Sequence, residues 1–119
     1  MGARLTELVI DCADTERVAA FWAAALGWQV TDRDGAVIEL GGPPGAGPRL
    51  VFVPVPEAKT VKNRVHIDVN PVGCEQAAAV ERLIELGARR VDVGQGEQTW
   101  VVLADPEGNE FCVLGARLE

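Results

Sequence analysis

Apolar residues along this chain switch between two spacings, and the switch happens twice. From Leu5 to Asp11 the pattern alternates, with Leu8 and Ile10 on one side and Glu7, Val9 and Asp11 on the other, as in a half-buried strand. The spacing then lengthens, and Val18, Phe21, Trp22 and Ala25 recur at helical intervals. Asp14 stands where a helix N-cap belongs, Glu16 falls in the first turn, and Gly27 supplies the stop. Three strand-like runs follow, Trp28 to Thr31, Ala36 to Leu40 and Arg49 to Val55, with a Gly/Pro-rich loop from Gly41 to Pro48 between the last two. The first half therefore reads βαβββ.

The second half repeats this order. Arg64 to Val69 predicts a strand with Val65, Ile67 and Val69 under a helix and His66 and Asp68 on the opposite face. Cys74 to Leu86 predicts that helix, with Ala77, Val80, Leu83 and Ile84 apolar and Gly87 as the stop. Arg89 to Val93, Thr99 to Ala104 and Glu110 to Leu114 predict three more strands. Laying Leu26-Gly27 on Leu86-Gly87 brings Glu7 to within about one residue of His66, so a module of roughly 60 residues is duplicated, too long for a solenoid unit. The expected architecture is α+β, a single domain of two βαβββ modules over about residues 4–56 and 63–117, joined by a linker at 57–62.

Composition narrows the partners. A chain of 119 residues with 48% hydrophobic content fills one core, and no apolar run is long enough to span a bilayer. A net charge of −7 disfavours nucleic acid and anionic membrane, which are bound through basic patches. Three cysteines with no close-spaced pair, Cys12, Cys74 and Cys112, and no export signal lead us to expect reduced thiols in the cytoplasm. Cys12 and Cys74 are expected to pack in the core or on a helix face, as are Phe21 and Trp22.

The segment from Val101 to Leu114, VVLADPEGNEFCVL, reads as a tight hairpin. Pro106 presets φ for the turn, and Gly108 and Asn109 are residue types that take positive φ readily. This segment resembles the closing hairpin of the glyoxalase, bleomycin-resistance and dioxygenase proteins of the vicinal oxygen chelate superfamily. DCADTERVAAFWAAALGW near the start, RVHIDV and the LGA turn extend the likeness over nearly the whole chain, and the details are most similar to a glyoxalase-like subgroup. The resemblance implies paired βαβββ modules whose curved sheets wrap a cavity, often in a homodimer. Its members include lyases, isomerases, dioxygenases and drug-binding proteins, so the fold leaves the function open.

Strand parity gathers Glu7, Asp11, His66, Asp68, Trp100 and Cys112 on the faces that would line such a cavity. Glu110 and Leu114 share the face of Cys112, with Phe111 and Val113 turned to the core. The resemblance implies metal ligands at positions matching Glu7, His66 and Cys112, the last usually a glutamate, and a fourth ligand near the end of the first half. That fourth region, Leu50-Val51-Phe52-Val53, offers none. A Glu, His and Cys set could hold Zn²⁺. Thiolate, however, departs from the oxygen and nitrogen donors that suit Mg, Mn, Ni or Fe. One histidine in the chain rules out a two-His-one-carboxylate iron site within a subunit.

Two functions of different class follow. The first is a small-molecule-binding protein without the usual metal, its acidic cavity lined by Trp28 and Trp100, which would stack on a planar ligand, and anchored by Glu7, Asp11, Asp68 and His66. The second is a lyase or isomerase acting on a small carbonyl substrate, with His66 or Glu7 as general base and a divalent metal as an optional cofactor.

Overall fold

The structure, a computed structural model, describes residues 2–119. The described residues divide into two compact units, 2–58 and 59–119. Each is a βαβββ module with one four-stranded mixed sheet and one helix.

The first module runs β1 (Glu7–Cys12), α1 (Thr15–Leu26), β2 (Gln29–Asp34), β3 (Val37–Gly41) and β4 (Arg49–Pro54). Its strand order is β1-β4-β3-β2, with β1 parallel to β4 and the other neighbours antiparallel. Helix α1 begins where the sequence predicts, because the Asp14 side chain accepts the Arg17 N–H at 3.1 Å. It ends at Gly27, whose φ of 68° lies in the left-handed region open to glycine. Its apolar stripe buries Val18, Phe21 and Trp22, and the two rings meet edge to face with centroids 5.3 Å apart. Each such burial stabilises the module by roughly 1.5–3 kcal/mol. Strand β1 keeps the expected alternation, with Glu7, Val9 and Asp11 exposed and Leu8 and Ile10 half-buried, but starts two residues later and ends on buried Cys12.

The second module runs β5 (Ile67–Val69), α2 (Gln76–Leu86), β6 (Arg89–Arg90), β7 (Val101–Ala104) and β8 (Glu110–Val113). Its order, β5-β8-β7-β6, reproduces the first, again with the first strand parallel to the last. The strands are shorter than the sequence predicts. Val65 is 77% exposed rather than under α2, and both it and His66 precede β5, so β5 pairs only over three residues. Strand β6 stops at Arg90 because the following loop folds on itself: Asp92 accepts the Gly94 N–H at 2.7 Å and Gln95 the Val93 N–H at 2.9 Å. Val91 still donates to the Val102 carbonyl at 3.3 Å, and beyond it those side-chain bonds take the N–H groups of Val93 and Gly94 that a longer ladder would use. Helix α2 starts at Gln76 instead of Cys74, buries Val80 and Leu83, and leaves Ala77 exposed.

The β7–β8 connection is a hairpin built on Asp105. This fully buried carboxylate accepts the N–H of Glu107 at 2.9 Å, the N–H of Asn109 at 3.0 Å, and the Asn109 side-chain amide at 2.9 Å. Gly108 takes positive φ, 91°, as expected, but Asn109 does not. The asparagine serves through its side chain rather than through a left-handed backbone. Among the described residues no helix is long and apolar enough to cross a membrane.

Candidate functional site

The second module concentrates the chain's titratable chemistry at the junction of β5 and β8. Asp68 and Cys112 face each other as direct partners in the parallel register, so their side chains leave the same face of the sheet. His66, one residue ahead of β5, turns its ring to them. Its Nδ1 lies 3.3 Å from Asp68 Oδ1 and 3.8 Å from Cys112 Sγ. The potential ligand atoms of these three residues all fall within 4.8 Å of one another. With Nδ1 protonated, the imidazole donates to Asp68 and leaves Nε2 free as an acceptor.

The exposure of the three residues differs. His66 and Asp68 each leave nearly half of the side chain in solvent, whereas Cys112 is buried. Burial pushes the Cys112 thiol up, and the Asp68 charge and hydrogen bond push it further, against a weaker opposing pull from Lys62. A thiol in this setting is protonated at neutral pH and donates to the carboxylate. It is a poor stand-in for a glutamate, which would be charged and would accept.

This donor chemistry does not fit the metal usual for proteins of this shape. A hard divalent ion is held by ionised carboxylates and neutral imidazoles. Here the β8 position offers a soft sulfur in place of a hard oxygen donor, beside a carboxylate already engaged by the imidazole.

Among the other predicted site residues, Trp100 falls outside the strand expected to carry it. It precedes β7 instead of lying within it and is 37% exposed, since the ladder begins at Val101 opposite Val113. The carbonyl just before it, of Thr99, is tied to the helix by Gln76 Nε2 at 2.9 Å, and the same amide also donates to the Val113 carbonyl at 3.0 Å. Glu7, Asp11 and Trp28 belong to the first module. Glu7 and Asp11 stand exposed on β1. Trp28 is half-buried, and its indole packs so close to Gly42 that a Cβ there would lie 2.6 Å from Nε1. Much of that ring is therefore engaged within its own module.

A different residue was missed. Glu110, expected to share an open face with Cys112, is buried, and its carboxylate holds Lys59 Nζ at 2.8 Å and the Asn63 N–H at 3.3 Å. Burial alone would raise its pKa, but the hydrogen bond from Lys59, with the backbone N–H donors and the ammonium charge, prevails and holds the carboxyl below the usual glutamate range. The sequence signalled only that a charged residue inside an apolar strand needs a partner; it did not say which.

Comparison with known proteins agrees with this architecture. A family model described as a glyoxalase-like domain matches residues 7–114. No curated protein sequence matches the chain. Among solved structures, a glyoxalase/bleomycin resistance protein/dioxygenase family enzyme from Burkholderia phytofirmans is 20% identical, with a TM-score of 0.68 over 93% of this chain and 97% of its own. A possible glyoxalase from Bacillus cereus is 16% identical, with a TM-score of 0.70 over 95% and 99% of the two chains. A hypothetical protein from S. aureus gives the same score at 16% identity, covering 98% and 95%. At such identities the likeness is one of fold.

Proposed function

The chain belongs to the glyoxalase-like domain family of the vicinal oxygen chelate superfamily, and on that premise we propose that it binds a small molecule without the family's usual divalent ion. The observation that carries this is Cys112: a buried thiol at the β8 position, facing Asp68 in the strand register, where the family resemblance implies a metal-binding carboxylate. His66 and Asp68 then serve as an exposed polar pair for the ligand, with the imidazole Nε2 as acceptor and the carboxylate as a negative anchor. A net charge of −7 favours a neutral or cationic compound over an anion. Trp100, partly exposed beside this module's β7, supplies a planar apolar surface for stacking.

A second reading has its own support. An imidazole whose Nδ1 is held by a carboxylate at 3.3 Å keeps one tautomer and one orientation, which is what a general base requires. A lyase or isomerase would use Nε2 of His66 to take a proton from carbon next to a substrate carbonyl, with Asp68 stabilising the imidazolium. In this reading too the thiol stays a neutral donor.

Metal analysis of protein purified without chelator, with His66→Ala alongside, tests the metal-free proposal. We expect no stoichiometric metal in either protein. Stoichiometric metal that disappears in the variant would overturn it. Thermal-shift screening against planar aromatic and small carbonyl compounds then seeks the ligand, whose binding raises the melting temperature by mass action and whose effect His66→Ala and Asp68→Asn should abolish. Exchange of a carbon-bound hydrogen with deuterated solvent, lost in His66→Ala, would favour the enzyme over the binding protein.

A further inference from the structure

Residues 56–66 lead into β5 with no regular secondary structure, and at their end stands His66. Ordinary means of fixing such a segment are missing. Its two apolar side chains near the site, Val61 and Val65, are 75% and 77% exposed, so burial does not hold it. Among the described residues, no backbone-to-backbone hydrogen bond outside the regular elements ties 56–66 to anything else. What remains before the imidazole itself is one carboxylate. Glu110 accepts from Lys59 Nζ through Oε1 at 2.9 Å, ion-pairs it through Oε2 at 2.8 Å, and accepts the Asn63 N–H at 3.3 Å on both oxygens.

The position of that carboxylate matters. Glu110 lies two residues before Cys112 on β8, so both side chains leave the same face of the strand. Asn63 lies three residues before His66. The segment is thus pinned at Asn63 by β8 and captured again at Ile67 by the same strand, which pairs Ile67 with Phe111. Between these two ties His66 has a short tether and one direction in which to point.

We infer that Glu110 is a positioning residue for His66: with Lys59 it forms a clamp that straps residues 59–66 to β8 and thereby seats the imidazole against Asp68 and covers the Cys112 thiol. The consequence for ligand binding rests on the reading of His66 as a polar anchor. The clamp itself does not, because it is read directly at the imidazole and the thiol.

The chain's single histidine makes the test unambiguous, since every imidazole resonance belongs to His66. The probes are the imidazole chemical shifts and line widths at one fixed pH and the alkylation rate of Cys112 by iodoacetamide, resolved from Cys12 and Cys74 by mass spectrometry. In Glu110→Gln we expect the His66 resonances to shift and broaden and Cys112 to alkylate roughly tenfold faster, as local opening becomes easier. Lys59→Arg, which keeps the ion pair, should restore neither loss because it should cause none; Lys59→Met should reproduce the Glu110→Gln pattern. Arg117→Ala, which removes a surface pair with Glu75 elsewhere in the module, should leave both readouts at wild type. If Glu110→Gln leaves both readouts unmoved, the inference is wrong. Should that variant not fold, Lys59→Met decides alone, and a folded Lys59→Met with wild-type imidazole resonances and thiol rate overturns it equally. A ligand screen that finds nothing would count against the proposed function and leave these outcomes unaffected.

Discussion

The two modules share an element order and a strand order, yet they spend their parallel strand pair differently. In the first, β1 and β4 pair over six residues and oppose apolar side chains, Val9 to Val51 and Ile10 to Phe52. In the second, β5 and β8 pair over three, and the central partners are Asp68 and Cys112. Longer pairing and apolar partners hold the first module's sheet together through its ladder and its core. The second module adds side-chain ties to its short strands: Asp105 in the hairpin, Glu110 with Lys59, and Gln76 bridging two carbonyls. Polar groups that hold a short sheet together also stand where chemistry is possible, which is why the candidate site falls in the second copy.

The largest expected effect comes from removing the tie with most contacts. Asp105→Ala strips a fully buried acceptor from the Glu107 and Asn109 N–H groups and the Asn109 amide, and leaves those donors unsatisfied. A loss of about 3 kcal/mol is expected, measured by urea denaturation. A loss below about 1 kcal/mol would mean that the hairpin is held by its strands and that the contrast between modules is overdrawn.

Glu110→Gln comes next, at about 2 kcal/mol near neutral pH, because it breaks a mostly buried pair whose lysine keeps some solvent. The sign with pH is fixed by direction. The folded carboxyl sits below its unfolded value, so its stabilisation is present above the ordinary glutamate pKa and disappears as pH falls through the depressed folded one. Acid denaturation of the wild type should therefore carry a component that Glu110→Gln lacks. Parallel pH–stability curves for the two proteins would show that Glu110 is not held ionised by folding.

The duplication, both helices and the hairpin were legible in the sequence, because each rests on local signals: Asp14 and Gly27 around α1, Gly87 after α2, Asp-Pro-Glu-Gly-Asn at the turn. Parity also placed Asp68 and Cys112 on one face correctly. The strand ends of the second module were not legible, since Val65 and Trp100 continue an alternating pattern although the ladders begin only at Ile67 and Val101. Nor was the Lys59 clamp. Period-two alternation assigns a face to Glu110 but cannot say that a linker folds back onto it, because that contact spans 51 positions of sequence.

The helix starts offer a finer comparison. Asp14 caps α1 with its side chain, whereas Glu75 before α2 makes no cap bond and instead reaches Arg117 at 3.0 Å. Asp14→Ala should cost about 1 kcal/mol, and Glu75→Ala no more than about 0.5 kcal/mol because its pair is a surface one. Equal losses in chemical denaturation would erase this distinction between the modules.

The smallest effect on stability belongs to Asp68→Asn, within about 0.5 kcal/mol for a side chain nearly half in solvent, yet it bears most directly on the site. Burial would still hold the Cys112 thiol above its ordinary pKa, but the charge and the hydrogen bond of Asp68 would no longer add to it. The pH at which Cys112 begins to alkylate should therefore move down in the variant while remaining above that of a free cysteine. The same linkage predicts that wild-type stability declines as pH rises past the ordinary thiol value toward the raised folded one, and that the decline is weaker in Asp68→Asn. If the alkylation profile does not move, Asp68 does not hold the thiol proton, and the case for a neutral donor at the β8 position falls with it.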